Sequence, residues 1–263
     1  MYARYIETTI NLMSEPVINN FEHIVAAVKA FHEHEGSGHD WQHIRRVCAT
    51  AGRLAREENA DLDVVMLIAL LHDVDDRKLT GDVNTEKTLP AARRIMTEAG
   101  IDAAVIETVL KGIGSIGFHK TLSGNVERSL EAKIVSDADQ LDAIGAIGIA
   151  RTFVYGAFKS RQMFDPDEIP METFTKEQYA ANNGSTVAHF FEKLLKLHTM
   201  MHTNAGRREG QTRHNMMVDY LDAFFREVDA SEEWKLRLEK YRMPRDEPSY
   251  VFEDFSEARS MAI

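Results

Sequence analysis

One cysteine in 263 residues, Cys48, leaves no partner for an internal disulfide, so the fold must hold by packing and hydrogen bonding, as in a reducing cytoplasm. Only six prolines punctuate the chain. No alternating run of apolar and polar residues enriched in Val, Ile or Thr is present, and no turn signal joins two such runs, which argues against hairpins and sheets. No apolar stretch approaches the roughly 18 residues needed to span a bilayer. The opening MYARYIETTINLMSEP has no sustained apolar run of the kind a secretion signal needs. Basic charge is short as well: 31 Lys and Arg stand against 42 Asp and Glu, a net charge of −11 that excludes extended binding to nucleic acid or to an anionic membrane. A small local basic pocket for a phosphorylated ligand stays compatible with that balance. Repeats and low-complexity tracts are absent too. A cytoplasmic protein without membrane attachment is the expectation.

What fills the chain is helical periodicity. Apolar residues recur at i, i+3, i+4 and i+7, as in Ile44, Val47, Ala51 and Leu54. Helices are expected near 17–35, 39–59, 61–74, 88–99, 102–113, 127–158, 173–181, 185–203, 205–229 and 231–241. Asp61 and Asp102 read as N-caps of two of them. The fold class expected is all-α, with a single-domain helical core over 20–228, an N-terminal extension over 1–19, and a last helix and tail over 229–263.

Residues 67–76 read LIALLHDVDD, an apolar helix that ends in a histidine and three acids. Buried charge is costly unless paired, so His72 and Asp73 require a hydrogen-bond network, a salt bridge or a metal ion. Two further segments carry the same residue types: HDWQHIRRV, with His39, Asp40, His43, Arg45 and Arg46, and SDADQLDAIGAIGIAR, with Asp137, Asp139, Asp142 and Arg151. Asp137 shares the stripe of Ile134, Leu141 and Ile144, and an acid there calls for a cation. Imidazole and carboxylate together suit Mn²⁺, Fe²⁺, Co²⁺, Ni²⁺ or Zn²⁺, and two of each would leave positions open for water and substrate.

A first His, an adjacent His-Asp pair and a distant Asp, all on helices, resemble the HD-domain superfamily of metal-dependent phosphohydrolases. The longer stretches EAKIVSDADQLDAIGAIGIARTF and MHTNAGRREGQTRHNMM are similar to a bacterial subgroup of stand-alone HD proteins. The resemblance covers roughly residues 20–228 and implies an HD-domain helical bundle. It implies His43, His72, Asp73 and Asp139 as ligands, with Asp137 as the fallback for the last. One divalent transition metal is implied (Mn, Fe, Co, Ni or Zn, with Mg admissible). Asp76, with Asp75 beside it, falls where the family has an acid assisting the attacking water. Many members place a further His where Ile116 stands; the nearest here is His119, which favours one metal over two.

Substrate phosphates need cations, and the candidates are Arg46, Arg151, Lys193, Lys196, Arg207 and Arg213. Arg151 lies twelve residues after Asp139, the same face of a continuous helix. The function expected is hydrolysis of a nucleotide phosphoester or phosphoanhydride, with pyrophosphate release from a nucleoside triphosphate as one form. The competing expectation is a catalytically weak HD-type nucleotide sensor. A homodimer is compatible with either.

Overall fold

A computed structural model of the chain describes residues 20–32, 40–76, 81, 84–117, 126–171 and 184–243. Every regular element among them is helical, as expected. The helix expected over 173–181, His39, His119 and the two chain ends lie outside the described residues. In order, the α-helices are α1 (Phe21–His32), α2 (Trp41–Glu58), α3 (Leu62–Leu71), α4 (Thr85–Thr88), α5 (Pro90–Glu98), α6 (Ala103–Ser115), α7 (Leu130–Asp142), α8 (Gly145–Phe158), α9 (Thr186–Glu192), α10 (Asn204–Glu227) and α11 (Glu232–Glu239), with a 3₁₀ helix over Leu194–Met200. No single one of them is long and apolar enough to cross a membrane.

The chain divides into two compact units between Met217 and Val218. In the second, Trp234 is buried with its ring 5.6 Å from that of Phe225, and Arg242 donates to Asp222 at 2.6 Å.

The first unit is organised around α3. Its residues Val65 to Leu71 are all buried, so it has no polar face and can only be an interior helix. Each such aliphatic side chain contributes roughly 1.5–3 kcal/mol by leaving water. Asp61 starts the helix by accepting from the N–H groups of Asp63 and Val64, both at 3.1 Å. Helices α2, α6 and α7 pack around α3. α2 begins where Asp40 accepts from the His43 N–H at 2.8 Å and ends at Asn59, whose left-handed backbone closes the last turn. Asp102 caps α6 through Ala104 N–H at 2.8 Å, as its position in the sequence indicated.

Two expected helices are each split. The stretch 127–158 forms α7 and α8, bent by 63° at Ala143–Ile144. Gly145 takes φ +74°, which ends the helical path, and Arg213 donates to the Leu141 carbonyl exposed there, at 2.5 Å. Likewise 185–203 divides at Lys193, where φ −135° and ψ −59° depart from helical values, into α9 and the 3₁₀ helix.

Candidate metal centre

Three elements deliver four side chains to one point. His43 sits in the first turn of α2 and is buried; His72 and Asp73 occupy the turn that follows α3; Asp139 projects from α7. The His43 Nε2 atom lies 3.5 Å from Asp73 Oδ2 and 3.5 Å from Asp139 Oδ1. The His72 Nε2 atom lies 3.4 Å from Asp73 Oδ2 and 4.0 Å from Asp139 Oδ1. The ligand atoms of His43, His72 and Asp73 fall within 4.8 Å of one another. The Asp139 side chain keeps 32% of its surface exposed, so the cluster opens to solvent on that side.

Both imidazoles turn Nε2 inward because Nδ1 is tied elsewhere. In His72 the Nδ1–H donates to the Ala69 carbonyl at 2.9 Å, and its buried Nε2 is engaged in no hydrogen bond. In His43 the Nδ1–H donates to Asp142 Oδ2 at 2.7 Å. Burial pulls the His43 imidazole down, but the carboxylates of Asp142, Asp73 and Asp139 outweigh it and raise the group to about 9. The three carboxylates around this imidazole give the pocket a negative potential. Two nitrogens and two carboxylates, with an orphaned buried nitrogen among them, fit a divalent transition ion.

The remaining candidates separate. The fallback ligand Asp137 does not join the cluster. Its oxygens accept from His202 N–H (2.8 Å), Thr203 N–H (2.8 Å) and the Thr203 hydroxyl (2.7 Å), which anchors the start of α10. A Cβ on Gly206 would stand 2.3 Å from Asp137 Oδ2, so only glycine admits that approach. On a helix, positions 137 and 139 lie about 200° apart, and only one of them can face α2 and α3.

Asp75 is buried with both oxygens engaged: Oδ1 accepts from Ala91 N–H at 3.0 Å and Oδ2 from Ala92 N–H at 2.9 Å. It caps α5, whose own N-cap Leu89 supplies no side-chain bond and sits at φ 49°. Asp76 is half-buried, its N–H donating to the Asp73 carbonyl at 3.0 Å. Ile116 is buried at the end of α6, so no imidazole comes from that position.

Of the six candidate cations, Arg46 and Arg151 converge on Asp142. Arg46 donates through Nε to Oδ1 (2.7 Å) and through Nη2 to Oδ2 (3.0 Å), and Arg151 Nη1 donates to Oδ2 (2.5 Å) and to the Asp142 carbonyl (3.1 Å). Arg151 reaches this point from α8, after the bend, and not from the face of one continuous helix. Arg213 is spent on Glu209 and the Leu141 carbonyl. Arg207 is exposed, bonded to Asn204 at 3.1 Å, while Lys193 and Lys196 are half-buried.

Asp142 is a site residue that the sequence alone does not single out. Its signal was there: it follows Asp139 by three positions, hence on nearly the same helix face, and lies among apolar residues.

A profile of the HD domain matches residues 40–144, a span that holds the whole cluster and Asp142. The chain is 34% identical over 203 residues to the uncharacterized protein YpgQ of Bacillus subtilis, covering 76% of this chain and 89% of that protein. Among solved structures, a Lactobacillus plantarum protein is 34% identical with a TM-score of 0.69, over 80% of this chain and 97% of that one. An HD-superfamily hydrolase of Bacillus thuringiensis is 36% identical with a TM-score of 0.63, over 80% and 97%. B. subtilis YpgQ in complex with ADP is 32% identical with a TM-score of 0.61, over 79% and 97%.

Proposed function

The chain belongs to the HD-domain superfamily and has the HD-superfamily hydrolase fold, and on that premise we propose that it is a metal-dependent phosphohydrolase acting on a nucleotide. The observation that carries the reading is the meeting of His43, His72, Asp73 and Asp139 within 3.4–4.0 Å, with both Nε2 atoms turned inward and one side open. Those four side chains would hold the ion, one of Mn, Fe, Co, Ni or Zn, with Mg admissible. When bound, such an ion lowers the pKa of water and neutralises phosphate oxygens. A closed structural site would leave no solvent-facing ligand; Asp139 is one.

Asp76 is the general base in this reading. It follows Asp73 by one turn of backbone, and Asp75 is excluded because both its oxygens already hold the α5 N-terminus. Asp76 takes the proton of the water that attacks phosphorus, as the P–O bond to the leaving group breaks. Arg46 and Arg151, beside the cluster, would with Lys193, Lys196 and Arg207 steady the phosphate oxygens. The nucleotide class is supported by the ADP complex of B. subtilis YpgQ, of which this chain covers 97%. Release of pyrophosphate from a nucleoside triphosphate is the finer form of the same reaction.

A nucleotide panel with Mn²⁺, Mg²⁺, Co²⁺ and Ni²⁺, scoring phosphate and pyrophosphate separately, tests the proposal. Turnover that disappears in Asp73→Ala supports it. Binding without turnover across the panel would replace the enzyme by a nucleotide sensor.

A further inference from the structure

We propose that Asp142 is the positioning residue that aims His43 at the metal, and that Arg46 and Arg151 serve first to hold Asp142 in place. The inference rests on the metal-centre reading above and adds a specific division of labour to it.

A neutral imidazole carries one N–H and one lone pair, and the partner of one nitrogen decides which role the other plays. At 2.7 Å, Asp142 Oδ2 holds the His43 Nδ1–H, so the proton an incoming ion displaces is the one on Nε2, which faces Asp73 and Asp139. Asp142 itself is 3% exposed and cannot swing away. Arg46 grips its two oxygens, and Arg151 binds both its carboxylate and its carbonyl.

Arg151 makes the arrangement directional. Its Nη1 stands 3.5 Å from His43 Nδ1 as well. With Asp142 ionised, that nitrogen is a donor to the carboxylate. Were the carboxylate lost, the Arg151 N–H beside Nδ1 would favour a lone pair there and leave the proton on Nε2, where it opposes ligation. His72 has no such dependence, because its Nδ1–H goes to a backbone carbonyl. The two imidazoles are therefore oriented by unequal means, one by main chain and one by a removable carboxylate.

The test is Co²⁺ titration of the metal-free protein, read by calorimetry and by the visible absorption of the bound ion, alongside thermal melts of the same metal-free samples. Asp142→Asn should weaken Co²⁺ binding by about 10–100-fold and change the spectrum, since the loss of a carboxylate behind a ligating imidazole has that size of effect. Arg46→Gln, which loosens the grip without removing the carboxylate, should weaken it severalfold, and it stands in for Asp142→Asn if that variant does not fold. Lowered melting temperature with wild-type Co²⁺ affinity and spectrum in the variants would make Asp142 a structural strut and overturn the inference. If binding in those variants matches wild type but vanishes in His72→Ala, the metal centre stands and only the inference falls. Failure of the wild-type protein to bind Co²⁺ or Mn²⁺ would remove both.

Discussion

In the proposed function, single residues divide the site into ligands, a base and supports, and each role predicts its own signature. Truncating a ligand, as in His72→Ala or Asp73→Ala, should abolish bound metal and turnover together, measured by elemental analysis and by phosphate release from the same preparation. The neighbouring acids should behave in opposite ways. Asp76→Asn should retain metal and lose about 10²–10⁴-fold in kcat, the usual worth of a general base. Asp75→Ala should instead lose roughly 1–3 kcal/mol of stability by stripping the Ala91 and Ala92 N–H groups of their acceptor, read in denaturant unfolding. The four residues brought together were legible through the resemblance to the HD-domain motifs in HDWQHIRRV, LLHD and DADQLDA, and not from residue type alone. Asp142 was not, because two of its three partners lie 96 and 99 positions upstream and the third, Arg151, reaches it only across the bend between α7 and α8. Arg46 and Arg151 were read as charges available to a substrate for the same reason: the buried acid they serve was not visible as theirs.

At the level of elements, the apolar periodicity located the helices and failed at their interruptions. The run LDAIGAIGIAR is apolar and small enough to continue one helix through 143–145, and no proline marks the break. The break comes from Gly145 in the left-handed region, stabilised by an arginine from α10 on the freed carbonyl of Leu141. Gly145→Ala should cost about 1–2 kcal/mol in backbone strain. Its Cβ would also meet the Arg213 Cβ and Cγ at 3.0 Å, so the thermal transition should drop by several degrees. Because α8 carries Arg151, straightening this bend would also withdraw one of the two clamps on Asp142. In the core, Ile68→Ala on α3 should be more damaging, about 2–5 kcal/mol, since the side chain is fully buried on a helix surrounded by others.

For the molecule as a whole, two buried histidines away from the cluster contribute to the response to acid. Burial, with Lys193 and Arg161 nearby, pushes His189 down to about 3, with Glu192 facing it at 3.9 Å. Burial, helped by the His214 ring 3.9 Å away, pushes His198 down to about 4, against its bond to the Leu195 carbonyl. An unfolded chain takes up protons on these groups near pH 6.5, while the folded one refuses them until far lower. Their neutral burial is thus stabilising above pH 6.5, and that share declines as the pH falls toward 4. Melting of the metal-free protein should therefore soften steadily from pH 7 to pH 4.5, and His198→Gln should flatten the slope; an unchanged slope would remove His198 from the account. Asp75 bonds to Ala91 and Ala92, and its carbonyl accepts from the Thr85 hydroxyl at 2.9 Å, so one residue, two positions past Asp73, fastens both α4 and α5. Any displacement of those two short helices is therefore relayed to the turn that carries His72 and Asp73 through a single side chain and its own carbonyl.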